Sequence, residues 1–308
     1  TIGQGINFSH LYASSNPIQL THHTVYNQTS TDIFLKIRSS DSLLTYTANL
    51  DFRSSYNDNT SDSTASMYLE NASYMEDEKA WTIDLSFPIV RESRVLLVQF
   101  VHSTTGMSHT FDIPLYSNDN INLSSTIIYR DDTKRAIIDN YLYTNQPYFT
   151  DQTTNVTYYN DPFKAAAPPM ALGSNEPPSE LTIDSTFITL PDNVFSFKKE
   201  GLYFCERNNR NLHGLGYVVR TAPYPKFTSI NQLASPLRYI MTNAEFNRLR
   251  NSPDRATFEK VILSFASDAD LAKVIIKNYF SNVAEANRLF TNYKEGWKTD
   301  MGMIFIIY

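Results

Sequence analysis

Histidine, cysteine and clustered carboxylates are the side chains from which metal sites and nucleophilic centres are built, and in this chain they are few and scattered. His22 and His23 are adjacent; neighbours on a strand point to opposite faces, so they are not expected to share an ion. His10, His102, His109 and His213 stand apart in sequence, and no Gly-x-Ser-x-Gly elbow accompanies them. His213-Gly214-Leu215-Gly216 lacks the Lys-Ser/Thr ending of a phosphate loop. Asn118-Asp119-Asn120 starts like a calcium loop but lacks the glycine and distal glutamate, so it reads as a polar turn. The single cysteine, Cys205, sits in Leu202-Tyr203-Phe204-Cys205, where a buried free thiol is expected and no internal disulfide is available. The expectation is a protein that is not an enzyme, with no catalytic residues, no cofactor and no metal, acting through its surfaces.

Two surfaces suggest themselves. Tyr141, Tyr143, Tyr148, Phe149, Tyr158 and Tyr159 can form a stacking platform suited to glycan or protein, although most lie in strand-like runs that would place them in a core. Pro168, Pro169, Met170, Pro177 and Pro178 punctuate residues 165–179, a stretch too rich in proline for a central strand. That stretch reads as a long surface loop able to contact a partner.

The elements that must position these groups follow from composition and period. The chain has 308 residues and a formal charge of −6, with charges interspersed, so nucleic acid is excluded as a partner. Length suggests two or three domains, and the excess of Tyr, Phe, Asn, Ser and Thr argues for β structure. No apolar run reaches the roughly 18 residues a spanning helix needs, and Thr1-Ile2-Gly3-Gln4 does not start a signal peptide. An exported protein would already have lost its targeting segment. The Asn-x-Ser/Thr sites at Asn7, Asn27, Asn59, Asn71, Asn122 and Asn155 are near what chance supplies in such a composition.

From about residue 3 to 116 the pattern is of short strands separated by polar turns. Trp81, Ile83, Leu85, Phe87 and Ile89 alternate on one face, and residues 33–37, 43–46, 66–69, 95–101 and 110–115 repeat the theme. This is the pattern of an immunoglobulin-like sandwich. A second β segment spans about 125–219, and Ala222-Pro223-Tyr224-Pro225 makes a stiff connection into a helical region. There Thr242 and Glu245 form a capping box, Ser252-Pro253-Asp254 caps a second helix, and Ser267 with Asp270 caps a third. Leu271, Val274, Ile275, Asn278, Tyr279, Val283, Ala286, Leu289 and Phe290 define its expected packed face. Ile304-Phe305-Ile306-Ile307 does not alternate and reads as a strand covered on both sides. Gly296 supplies backbone freedom at the turn between them, Trp297 a large apolar side chain, and Thr299 and Asp300 short groups that bond nearby amides.

Gly296, Trp297, Thr299 and Asp300 complete a signature over residues 242–308 that resembles the GWxTD-domain family, mostly cell-envelope proteins of Bacteroidota and relatives. The triplets Asp62-Ser63-Thr64 and Asp184-Ser185-Thr186 likewise resemble the O-glycosylation consensus of Bacteroidota envelope proteins. The family resemblance implies an exported protein of the periplasm or outer membrane, lipid-anchored upstream in one arrangement. It also implies envelope proteins as partners within a secretion or assembly complex, with a carbohydrate-binding or carbohydrate-processing surface protein as the alternative. The family pattern continues past Tyr308 into a Gly-Pro turn, so the domain is expected to be incomplete at its C-terminus. The expected fold is mainly β with a C-terminal α+β part. Tandem immunoglobulin-like β-sandwich modules, residues 1–118 and 119–225, precede a GWxTD-type α+β domain over residues 226–308.

Overall fold

The computed structural model describes residues 16–27, 29–58, 60–117, 126–161, 163–167, 180–207, 214–251, 254–264 and 268–308. Pro168, Pro169, Met170, Pro177 and Pro178 lie outside the described residues, as do His10, His213 and residues 118–120. The architecture is mainly β with C-terminal helices, in several sheets. Two compact units make it up: residues 1–129, 134–138 and 206–214 in one, residues 130–133, 139–205 and 215–308 in the other.

In the first unit β1 (Ile18–Tyr26), β2 (Ser30–Ser39), β3 (Tyr46–Arg53), β4 (Ser63–Met67), β5 (Ser73–Met75), β6 (Ala80–Pro88), β7 (Arg94–His102) and β8 (Ser108–Leu115) form two four-stranded sheets. Their orders are β1-β2-β6-β5 and β4-β3-β7-β8, with antiparallel pairing throughout. Alternation does the work: Ile33, Leu35 and Ile37 of β2 share one apolar cluster with Leu96, Val98 and Phe100 of β7, so one face of each sheet is turned to a common core. Trp81, Leu85 and Phe87 pack against that cluster from the expected face of β6. Residues 43–46 differ from expectation, because Leu43–Thr45 is a 3-10 turn and the strand starts at Tyr46. Tyr46, Ala48 and Leu50 carry the period-two burial there, so the alternating run begins where the expected strand ends.

The second unit contains the helical region and the sheet before it, so residues on both sides of position 226 belong to one unit. Its strands follow the two-residue β9 (Tyr129–Arg130), which lies where the units divide. They are β10 (Tyr141–Tyr143), the two-residue β11 (Tyr148–Phe149), β12 (Thr154–Tyr159), β13 (Ser185–Thr189), β14 (Gly201–Glu206) and β15 (Leu215–Arg220). Where a second sandwich is expected, the main sheet here is a single five-stranded one, ordered β10-β15-β14-β12-β13, with β10 parallel to β15. Central β15 is buried from Gly216 to Arg220 without alternation, the burial of a strand covered on both faces.

After the sheet come α1 (Ile230–Ala234), α2 (Asn243–Asn251), α3 (Arg255–Leu263), α4 (Ala269–Phe290) and α5 (Asp300–Ile307). The Thr242–Glu245 box forms as expected, with Thr242 N–H and Oγ1 donating to Glu245 at 2.9 and 2.7 Å. Asp254 caps α3 and Asp268 caps α4, each accepting an amide bond three residues on. The α4 cap therefore falls one residue after Ser267, which lies outside the described residues. The packed face of α4 is also rotated from the expected one. Ala272, Tyr279, Val283, Ala286 and Asn287 are buried, whereas Leu271, Val274, Ile275 and Leu289 are exposed.

The run Ile304-Phe305-Ile306-Ile307 is helix, not a strand, and corrects the expected terminal strand. A continuous apolar run has no period that separates a covered strand from a packed helix; the decision lies upstream. Thr299 Oγ1 accepts Gly302 N–H at 2.9 Å and Asp300 occupies the first turn, so a capped helix starts there.

Candidate functional site

The Gly-Trp turn is built on the C-terminal end of α4. Thr291 ends that helix, and its hydroxyl uses its full bonding capacity. It donates to Asn287 O at 2.6 Å and accepts Gly296 N–H at 3.0 Å. Tyr224 Oη lies 2.6 Å away, and since the Thr291 proton is committed, Tyr224 is the donor of that pair. Asn287, wholly buried, bridges two turns: Oδ1 accepts Trp297 N–H at 3.0 Å and Nδ2 donates to Pro225 O at 3.1 Å. Tyr239 Oη donates to Trp297 O at 3.0 Å, and Ala166 N–H donates to Lys298 O at 2.8 Å. The residues leading into the proline-rich stretch are thus anchored on the motif itself.

Gly296 is required by proximity rather than by backbone freedom, which corrects its expected role. A Cβ there would stand 2.0 Å from Ala286 O and 2.7 Å from Asn287 Cα, and its φ is not in the left-handed region. Gly302 plays the matching part on α5, where a Cβ would stand 1.9 Å from Gly296 O. Thr299 Oγ1 donates to that same Gly296 O at 2.7 Å. Trp297, 4% exposed, meets the Tyr239 ring edge-on at 6.1 Å and joins the cluster of Leu237, Tyr279, Val283 and Ile306. Its indole N–H is buried without an acceptor among the described residues. Asp300 is exposed at the first turn of α5.

Around the turn runs a closed ring of ion pairs that sequence reasoning missed. Arg220 at the end of β15 reaches Glu295 at 3.0 Å and Asp161 at 3.3 Å; Lys298 reaches Asp161 at 2.6 Å and Glu295 at 2.9 Å. Two cations alternate with two carboxylates, and all but Asp161 are nearly buried. Burial by itself would raise the Glu295 carboxyl, but Lys298 and Arg220 outweigh it and hold the group below the usual carboxylate range. Burial likewise opposes the Arg220 charge, and Glu295 more than restores it. A carboxylate held ionised in this way is a poor proton acceptor near neutrality. The ring members are 134 residues apart from Asp161 to Glu295 (295 − 161), so spacing carries no signal of the ring. The one local hint is the i,i+3 pair Glu295–Lys298 flanking the motif.

The other candidates are placed separately. His22 and His23 face opposite sides of β1, opposite Leu35 and Phe34 of β2. Burial pushes His22 below the ordinary imidazole value, with Asp112 opposing. Cys205 is fully buried and forms no disulfide. Among the described residues no group of three or more His, Cys, Asp or Glu is placed to hold a metal. Of the aromatic platform, Tyr148 and Tyr158 are buried and Tyr141, Tyr143, Phe149 and Tyr159 half-buried; Tyr158 and Phe197 lie against Tyr203 as tilted pairs at 4.7 and 4.5 Å. The Tyr143 hydroxyl is turned inward to Tyr224 O. No helix of the described residues is long and apolar enough to cross a membrane.

Among curated proteins none matches this chain. Among solved structures it is similar to a "Biofilm associated protein - BSP domain", at 11% identity and a TM-score of 0.32, over 73% of this chain and 33% of that one. The chain therefore spans about a third of that protein's length, and so slight a likeness carries no argument about fold or function. The family model described as GWxTD domain matches residues 201–308. The match starts well before residue 242, at β14, and so takes in Arg220 and Tyr224, which bind the turn. With the motif complete and its sheet partners inside the same match, this chain is a GWxTD-domain-containing protein.

Proposed function

We propose that this chain is a non-enzymatic scaffold or interaction protein of the cell envelope, exported to the periplasm or outer membrane and working as a subunit of a secretion or assembly complex. The observation that supports this reading best is the way the motif is bound. Thr299, the Gly296 and Trp297 amides and the charges of Glu295, Lys298, Arg220 and Asp161 are engaged with one another and with the sheet. Such a turn clamps helices onto a sheet; it does not present a nucleophile or a proton acceptor poised near neutrality. The exposed apolar stripe Leu271, Val274 and Ile275 on α4 favours a role in binding other proteins.

In this reading the two facing sheets of the first unit act as an immunoglobulin-like spacer. The proline-rich residues Pro168, Pro169, Met170, Pro177 and Pro178 contact the partner, and a lipid anchor upstream is consistent with the envelope assignment. Copurification from native envelope membranes tests the proposal. A stoichiometric envelope partner that is weakened by deletion of residues 168–179 is expected. A monomer that instead binds glycan arrays would overturn the scaffold reading in favour of a carbohydrate-binding protein.

A further inference from the structure

We infer that β13 is a self-pairing edge, through which two copies of this chain associate antiparallel about a two-fold axis. β13 ends the five-stranded sheet, bonded to β12 on one side. The backbone groups on its other side have no strand partner among the described residues, and such groups are matched by another extended strand. Among the described residues, the other edges of the four- and five-stranded sheets differ from β13. β5 and β10 are three residues long, β8 contains Asp112 and Pro114, β4 exposes only Ser, Thr and Ala, and no side chain of β1 is exposed. Short length, charge and proline are usual devices against edge pairing, and a small polar or partly covered edge offers a second strand little apolar surface.

On β13 and its flanks the side chains are of the opposite kind. Ile188 is 63% exposed, and Ile183, Leu190 and Val194 are each more than half exposed; Phe187 shows to the other face from Ile188. The run holds two charged residues, both outside β13: Asp184 accepts Asn160 N–H at 2.8 Å, and Asp192 lies three residues past the strand end.

A second copy is the occupant that fits these facts. Like charges directly opposite one another disfavour pairing, and an uncharged strand placed against itself has none. With the axis at Phe187, Ser185 faces Thr189 and the phenyl rings approach across the axis, both favourable cross-strand pairs. Isologous pairing uses up the edge on each copy, so assembly stops at two. A contact of two short strands falls below the ~1,200 Å² of standard interfaces, so association in the range of about 10–100 µM is expected.

Sedimentation velocity on the full chain from about 1 to about 500 µM tests this. The expected result is conversion from monomer to dimer, with the midpoint raised at least about tenfold in Ile188→Lys. Leu44→Lys, which charges an apolar side chain of similar exposure in the 3-10 turn before β3, is expected to leave the midpoint unchanged. Circular dichroism melting of both variants confirms that each is folded. A parent that stays monomeric throughout, assemblies larger than two, or equal loss of dimer in the two variants would each overturn the inference.

Discussion

Gly296 and Gly302 owe their identity to backbone standing where a methyl group would be. Gly296 lies against α4 and Gly302 against Gly296, so Gly296→Ala must push the turn off the helix. Overpacking that cannot be relieved by a flexible side chain sits at the upper end of its range, and a loss of about 3 kcal/mol or more is expected in urea unfolding. Trp297→Ala is expected to cost about 3 to 5 kcal/mol, because it empties a site fully enclosed by the helical cluster. An unchanged midpoint with loss of partner binding alone would mean that Trp297 serves recognition. Glu295 carries the pH dependence. Its carboxyl is held below its unfolded value, so the ring's contribution is complete above about pH 4.3 and is lost as pH falls through the folded value. Glu295→Gln leaves Arg220 and Lys298 sharing Asp161, which predicts a loss of about 3 to 5 kcal/mol at pH 7. That difference from the parent should narrow on acidification; a constant difference would show that the ring does not titrate with folding.

At the scale of elements, α5 depends on how it begins. Its buried positions are few, Gly302 and Ile306, so the cap at Thr299 matters more than for a helix with a broad packed face. Thr299→Ala should cost about 1 kcal/mol, up to about 2, and Thr299→Ser should restore most of it through the same acceptor oxygen. Equal unfolding midpoints for parent and alanine variant would remove the cap from the account. The neighbouring α4 shows why element existence and element orientation are separate questions. Apolar residues occupy two stripes on it; Tyr279, Val283 and Ala286 belong to the buried helical cluster, while Leu271, Val274 and Ile275 face solvent. Period alone accepts either stripe as the packed one.

Across the whole molecule the two units carry separate apolar clusters, one holding Phe100 and the other Trp297. Phe100, fully buried in the first, is the handle for asking whether the units unfold apart. Phe100→Ala should remove about 3 to 5 kcal/mol from the first unit. Hydrogen exchange should then show faster opening of β2, β3 and β7 with the amides of α4 unchanged. Parallel acceleration in α4 would mean that the two units open as one.

Period-two alternation in β2, β6 and β8, the capping box at Thr242 and the apolar environment of Cys205 were legible in the chain alone. Each is a local rule, written within a few residues. The motif, too, was legible as a packed corner, since Gly296, Trp297 and Thr299 are unusual together. Tertiary structure decided the rest. The terminal run became α5 because a cap three residues upstream of Gly302 outweighs an ambiguous apolar pattern. The packed stripe of α4 was chosen by where α5 and the turn lie. The ring of Asp161, Arg220, Glu295 and Lys298 exists only because a β-strand end, a loop and a helix-flanking turn converge. No spacing in sequence encodes such a meeting, because long-range ion pairs depend on distance in space and leave no periodic trace along the chain.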